Sequence, residues 1–146
     1  MITTRRARTA ALTLAAVAAF TCAGAGAAQA SPAIPLTGGQ ESPTPTAFGA
    51  HGFFSYEIDG TEFCYTLEVT GLSAPASAAH VHLAPRNAPG PVKIPLAVPA
   101  QTSFEVSACT TADPVLLAAI DADPGAYYVN VHNANNPLGE IRGQLK

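Results

Sequence analysis

Four histidines, His51, His80, His82 and His132, are the residues of this chain best suited to chemistry. His80 and His82 flank Val81 in the run Ala78–Ala84, Ala-Ala-His-Val-His-Leu-Ala. Side chains two apart on a strand share a face, with Cα atoms about 6.5 Å apart, so both imidazoles can converge on one ion. His132 ends the run Tyr128-Val129-Asn130-Val131-His132. There Val129 and Val131 take one face, while Tyr128, Asn130 and His132 take the other. Both runs therefore bury valines and turn histidines outward. If the two strands are neighbours, three imidazoles meet on one surface, with Tyr128 and Asn130 beside them. Neutral ring nitrogens suit copper or zinc, and binding is expected to weaken below about pH 6 as the rings protonate. His51, near Gly49 and Gly52, is a candidate fourth ligand. The alternative is that imidazoles on a sheet hydrogen-bond to carbonyls or water and hold no metal.

Other chemistry is thin. There is no G-x-S-x-G elbow and no H-E-x-x-H. The ten carboxylates are scattered, and nearly all read as solvated surface. Tyr127 and Tyr128 read as packing residues or as lining for a site. Cys64 and Cys109 are expected to pair as a disulfide, with two free thiols or metal ligation as the alternatives.

The elements that must position these residues are short strands. The chain has 146 residues, 48% hydrophobic, with 13 prolines and 12 glycines. That length allows one domain, and that much punctuation fits strands and turns better than helix bundles. Residues 1–30 stand apart: Arg5, Arg6 and Arg8, then an apolar run over Ala10–Ala19, then Ala28-Gln29-Ala30. This is the pattern of a secretory signal peptide cleaved before Ser31. A membrane anchor is the alternative, but the run falls short of the roughly 20 residues a span needs, so no membrane span is expected in the mature chain. Cys22 follows a poor lipobox, and the Arg5-Arg6 pair lacks the apolar residues of a twin-arginine signal. Residues 31–146 then keep four Lys and Arg against ten Asp and Glu, a formal charge of −6. Such a balance excludes an electrostatic footprint for nucleic acid.

Within 31–146, Ile34–Thr37 reads as a short edge strand, because prolines suit edges. Phe48–Asp59 and Glu62–Thr70 form a hairpin about Asp59-Gly60. Ala78–Ala84, Val92–Val98, Thr102–Cys109, Ala126–Asn133 and Glu140–Leu145 are further strands. Asp113-Pro114 caps a short helix over Val115–Ala122. Seven or eight strands and one helix point to an all-β fold, an antiparallel Greek-key β-sandwich or flattened barrel.

Three segments together resemble the CHRD domain family, named for repeats in chordin and found singly in secreted bacterial proteins. They are Leu36-Thr37-Gly38-Gly39-Gln40-Glu41-Ser42-Pro43, Ala79-His80-Val81-His82, and Tyr128–His132 followed by Asn136–Leu145, Asn-Pro-Leu-Gly-Glu-Ile-Arg-Gly-Gln-Leu. The resemblance spans residues 34–146, making 31–146 a CHRD domain. Chordin's repeats accompany modules that bind growth factors, so the resemblance implies an extracellular protein-binding or structural module as the alternative to a metal site. More distantly, His80-Val81-His82 with the late His132 looks like the copper half of copper/zinc superoxide dismutase. That likeness implies His80, His82 and His132 as copper ligands and places Arg142 near that family's guiding arginine. The zinc-ligand loop has no counterpart, and Pro85–Pro91 is too short to replace it. A redox enzyme of that type is the third reading.

Overall fold

A computed structural model describes residues 32–45 and 49–146. The expected signal peptide, Cys22 within it, and Phe48 lie outside the described residues. Eight strands are present: β1 Ile34–Thr37, β2 His51–Asp59, β3 Glu62–Thr70, β4 Ala76–Leu83, β5 Val92–Leu96, β6 Phe104–Thr111, β7 Tyr127–Asn133 and β8 Ile141–Gln144. One helix, α1 (Pro114–Ala122), precedes β7. All strand pairs are antiparallel, in the order β5-β4-β7-β8-β1-β2-β3-β6. Neighbours distant in sequence, such as β4 beside β7 and β3 beside β6, mark Greek-key connections.

Local signals account for most elements. Phe63, Tyr65, Leu67 and Val69 alternate along β3 and are all buried. The β2–β3 hairpin closes with Asp59 opposite Glu62 around Gly60-Thr61. Gly60 sits at φ 60°, a left-handed conformation that favours glycine at the head of a two-residue turn. The Asp113 side chain accepts from the Val115 and Leu116 amides at 2.7 and 3.4 Å, capping α1 with Pro114 at its first turn. Leu117 and Ile120 then turn into the core.

β1 departs from expectation. It lies inside the sheet, between β2 and β8. Its prolines are tolerated because the ladder to β8 is confined to Thr37 opposite Arg142, which leaves the Pro35 nitrogen out of that ladder. The true edges are β5 and β6. These are consecutive in sequence, and the eight Cα steps between them reach no more than about 28 Å. A flat eight-stranded sheet is about 34 Å wide, so the sheet must curl. It becomes nearly closed, with the 97–103 connection tied by Leu72 N to Thr102 O (2.9 Å), Ala76 N to Gln101 O (3.0 Å) and the Tyr65 hydroxyl to Ala97 O (2.9 Å). Cys64 and Cys109 face each other across β3 and β6 and form the expected disulfide. The core fills the barrel interior, with Val81, Val129 and Val131 on the β4–β7 side and Phe54, Phe63 and Leu67 on the β2–β3 side.

Candidate metal centre

β4 and β7 are neighbours, and their register decides the site. His80 lies opposite Asn130, His82 opposite Tyr128, and Ala78 opposite His132. His132 is thus diagonal to His80, on the same side of the sheet. Val81, Val129 and Val131 point into the core, so all three histidines turn away from it, as the alternation requires. The ring centroids are 4.9 Å (His80–His132), 5.4 Å (His80–His82) and 5.9 Å (His82–His132) apart. One nitrogen from each ring lies within 4.8 Å of the others.

The outward face is not a surface. Every residue of β7 is buried, and His82 and His132 are 6% and 9% exposed. Three stretches of chain cover them: residues 41–43, the 85–90 loop and the 134–140 turn. Backbone carbonyls of two covers orient the rings. The Gly90 carbonyl lies 2.9 Å from His82 Nδ1, and the Pro137 carbonyl lies 3.1 Å from His132 Nδ1. A carbonyl only accepts, so each Nδ1 carries the proton and each Nε2 keeps a lone pair. His82 Nε2 is buried, and the Asn130 side chain lies beside the ring. His132 Nε2 lies 3.1 Å from His80 Nδ1, close to the roughly 3.3 Å between two nitrogens that share a tetrahedral ion at 2.0–2.1 Å. A tautomer shift that puts the His80 proton on its Nε2 frees that Nδ1 as a third donor. Burial lowers the pKa of all three rings below the usual histidine value, that of His132 to about 4. Repulsion between them adds to the shift at His80 and His132. At neutral pH the cluster is three neutral imidazoles, the form in which histidine ligates metal.

Tyr128 and Asn130 flank the cluster. The Tyr128 ring stacks on His82 at 4.7 Å with planes 5° apart, and its hydroxyl accepts from the Gly90 amide at 3.3 Å. Arg142 lies 3.3 Å from the Tyr128 ring centroid. It is only 1% exposed, and it donates to the Ala88 and Pro85 carbonyls at 2.8 Å each. These bonds tie the 85–90 loop to β8. His51 is not brought to the group. It is exposed on β2, its Nδ1 2.9 Å from the Gly49 carbonyl, and two strands, β8 and β1, lie between β2 and β7, three strand spacings or about 14 Å.

Two carboxylates read as solvated are buried instead. Glu140 accepts from the Ser73 amide (2.9 Å), the Ser73 hydroxyl (2.8 Å) and the Asn133 side-chain amide, locking the turn that carries Pro137. Glu41 is 5% exposed, its carboxylate beside the Asn130 side-chain amide and the Ser42 backbone amide. Desolvation raises its pKa to about 7 against the opposing charge of Arg142. Gly139, at φ 125°, lets the turn pass so close that a Cβ there would overlap Glu41 Oε1. Both carboxylates fall within the segments that carry the family resemblance, which was the available signal for them. Glu41 lines a cavity of about 450 Å³ together with His82, Tyr128, His132, Pro89 and Leu138.

No curated protein and no solved structure matches the chain. Among the described residues no helix is long and apolar enough to cross a membrane. A model of the CHRD domain matches residues 33–145, which takes in β1 through β8, the three histidines and both buried carboxylates, and the chain belongs to that family.

Proposed function

We propose that this chain is an exported CHRD domain that holds one transition-metal ion, copper in preference to zinc, on His80, His82 and His132. The observation that carries the reading is the donor set. Three imidazoles, neutral at pH 7, converge within 4.8 Å, and two of them are fixed by carbonyls so that a lone pair is left. Imidazole suits both metals, and the likeness to the copper half of the dismutases favours copper. When bound, copper would supply one-electron redox chemistry. The chain's own residues orient the rings and exclude water from two of them. Equilibrium loading of metal-free protein followed by elemental analysis tests this. One copper per chain is expected, falling to none in the His80→Ala/His82→Ala double variant, and uptake unchanged by those substitutions would end the proposal. A dismutase-type activity requires a rate per copper above that of the free ion.

A metal-free extracellular protein-binding module is the second reading. It is favoured by an open recess of about 790 Å³ whose lining includes Leu83, Ala84, Pro85, Ala88 and Pro89, and by the edge position of β5 in the sheet. It requires that a partner be captured equally with and without chelator.

A further inference from the structure

The two edge strands of the sheet are unlike. β5 is five residues long and carries Lys93 and Pro95, residue types that discourage another strand from pairing there. β6 has eight residues, with no proline and no lysine. It pairs with β3 on one side, and β5 does not run alongside it on the other. The ladder fixes which of its backbone groups are taken. Ala112 N donates to Thr61 O at 3.0 Å, one step beyond the pair Thr111 and Glu62. Alternation along an antiparallel pair then points the N–H and C=O of Phe104, Val106, Ala108 and Thr110 at β3, and those of Glu105, Ser107, Cys109 and Thr111 away from it. Among the described residues no backbone hydrogen bond reaches these outward groups, and all four residues are exposed. The inner row is itself only half-buried: Phe104, Val106 and Ala108 pack against the core yet keep part of their surface in water.

An unpaired edge is a template for another strand, and the charge around this one selects the strand. β2, β3 and β6 hold Glu57, Asp59, Glu62, Glu68 and Glu105 and no lysine or arginine. Glu68 and Glu105 lie directly opposite each other, both exposed, as like charges that repel across the pair. On the same outer face an open recess of about 380 Å³, its lining including Ser55, Glu57, Thr66 and Ser107, leaves room for a long side chain. We propose that β6 takes an extended, basic segment of a partner polypeptide as an added antiparallel strand. The backbone of that segment pairs with Glu105, Ser107, Cys109 and Thr111. Its alternate lysines or arginines meet Glu105, Glu68 and the recess on the outer face, and the apolar residues between them cover Phe104 and Val106. A second copy of the chain fits less well, because residues 31–146 of each copy carry a formal charge of −6. The inference deepens the protein-binding reading, on a different surface from the recess beside Pro85, and uses none of the three histidines.

The test titrates synthetic heptapeptides into chelator-treated protein by calorimetry at pH 7.5. K-V-K-V-K-V-K is expected to bind once per chain. E-V-E-V-E-V-E reverses the charge. The basic peptide with backbone N-methyl groups on its two inner lysines keeps the charge but loses the N–H groups that face β6. Each should bind at least about tenfold more weakly. Glu68→Lys/Glu105→Lys, at two exposed positions, should invert the order of the basic and acidic peptides. Ser107→Pro removes an outward N–H and no bond to β3, so it should keep the fold and weaken the basic peptide by about tenfold or more. Lys93→Glu on β5 should leave binding unchanged. Binding should also slow hydrogen exchange at the Glu105, Ser107 and Cys109 amides, which a purely ionic attachment would not do. No binding up to about 1 mM, equal affinity for the acidic or the N-methylated peptide, or unchanged exchange at those amides would each overturn the assignment, and the peptide comparisons decide it even if Ser107→Pro misfolds. A concentration-dependent dimer that Ser107→Pro dissolves would overturn it in favour of a second copy. None of these substitutions touches the recess beside Pro85, so a failure here is not mistaken for a failure of that surface.

Discussion

At the scale of single residues, the site is defined by groups whose charge burial has altered. His132 titrates at about 4 in the fold against 6.5 for an ordinary histidine. Between those values the unfolded chain takes up the proton first, so this ring's contribution to stability is lost as pH falls from about 6.5 towards 4. His80 and His82 act in the same sense. Glu41 opposes them. Raised to about 7 from 4.5, it takes up its proton first in the fold, and its contribution is full below 4.5 and lost as pH rises through 7. The two effects offset each other across a shared window. Glu41→Gln should therefore steepen the fall in melting temperature between pH 7 and 4.5, and a profile parallel to the wild type would contradict the balance. The same lowering should carry metal binding to a more acid limit than ordinary histidines would give. Copper uptake should persist at pH 6 and fade towards pH 4, read by equilibrium dialysis across that range.

At the scale of elements, strand periodicity did most of the work. The alternation of Phe63, Tyr65, Leu67 and Val69, and of Val129 and Val131 against Asn130 and His132, was legible because a period of two assigns each side chain a face. Whether a face is wet was not legible. The outer side of β7 is dry because loops fold back over it, and those loops are held by long-range bonds such as Arg142 to Pro85 and Glu140 to Ser73. No local pattern encodes them. The interior place of β1 escaped for a related reason: Pro35 signals an edge locally, while strand order is set by the whole chain's path. Glu140→Ala should show what the covers contribute. Removing a buried acceptor of three donors is expected to cost about 3 kcal/mol in denaturant unfolding. Freeing the Pro137 carbonyl from its position should also weaken copper binding by about tenfold to a hundredfold. Unchanged copper affinity would show that the turn does not orient His132.

For the whole molecule, the disulfide and the histidines divide the barrel. Cys64–Cys109 staples β3 to the edge strand β6, at the opposite end of the strand order from β4 and β7. Its 45-residue separation gives a stabilisation of about 4 kcal/mol on the chain-entropy view. Cys64→Ala/Cys109→Ala should lower the melting temperature sharply yet leave copper stoichiometry at one in whatever fraction remains folded. Loss of uptake in folded protein would mean that the two regions are coupled. The stack of Arg142, Tyr128 and His82 has an optical corollary. The chain contains no tryptophan and four tyrosines, so its intrinsic emission under ultraviolet light comes from phenol rings alone. One of those rings lies face to face with an imidazole of the cluster, and the molecule thereby carries a built-in fluorescent gauge that a paramagnetic ion at that imidazole would dim.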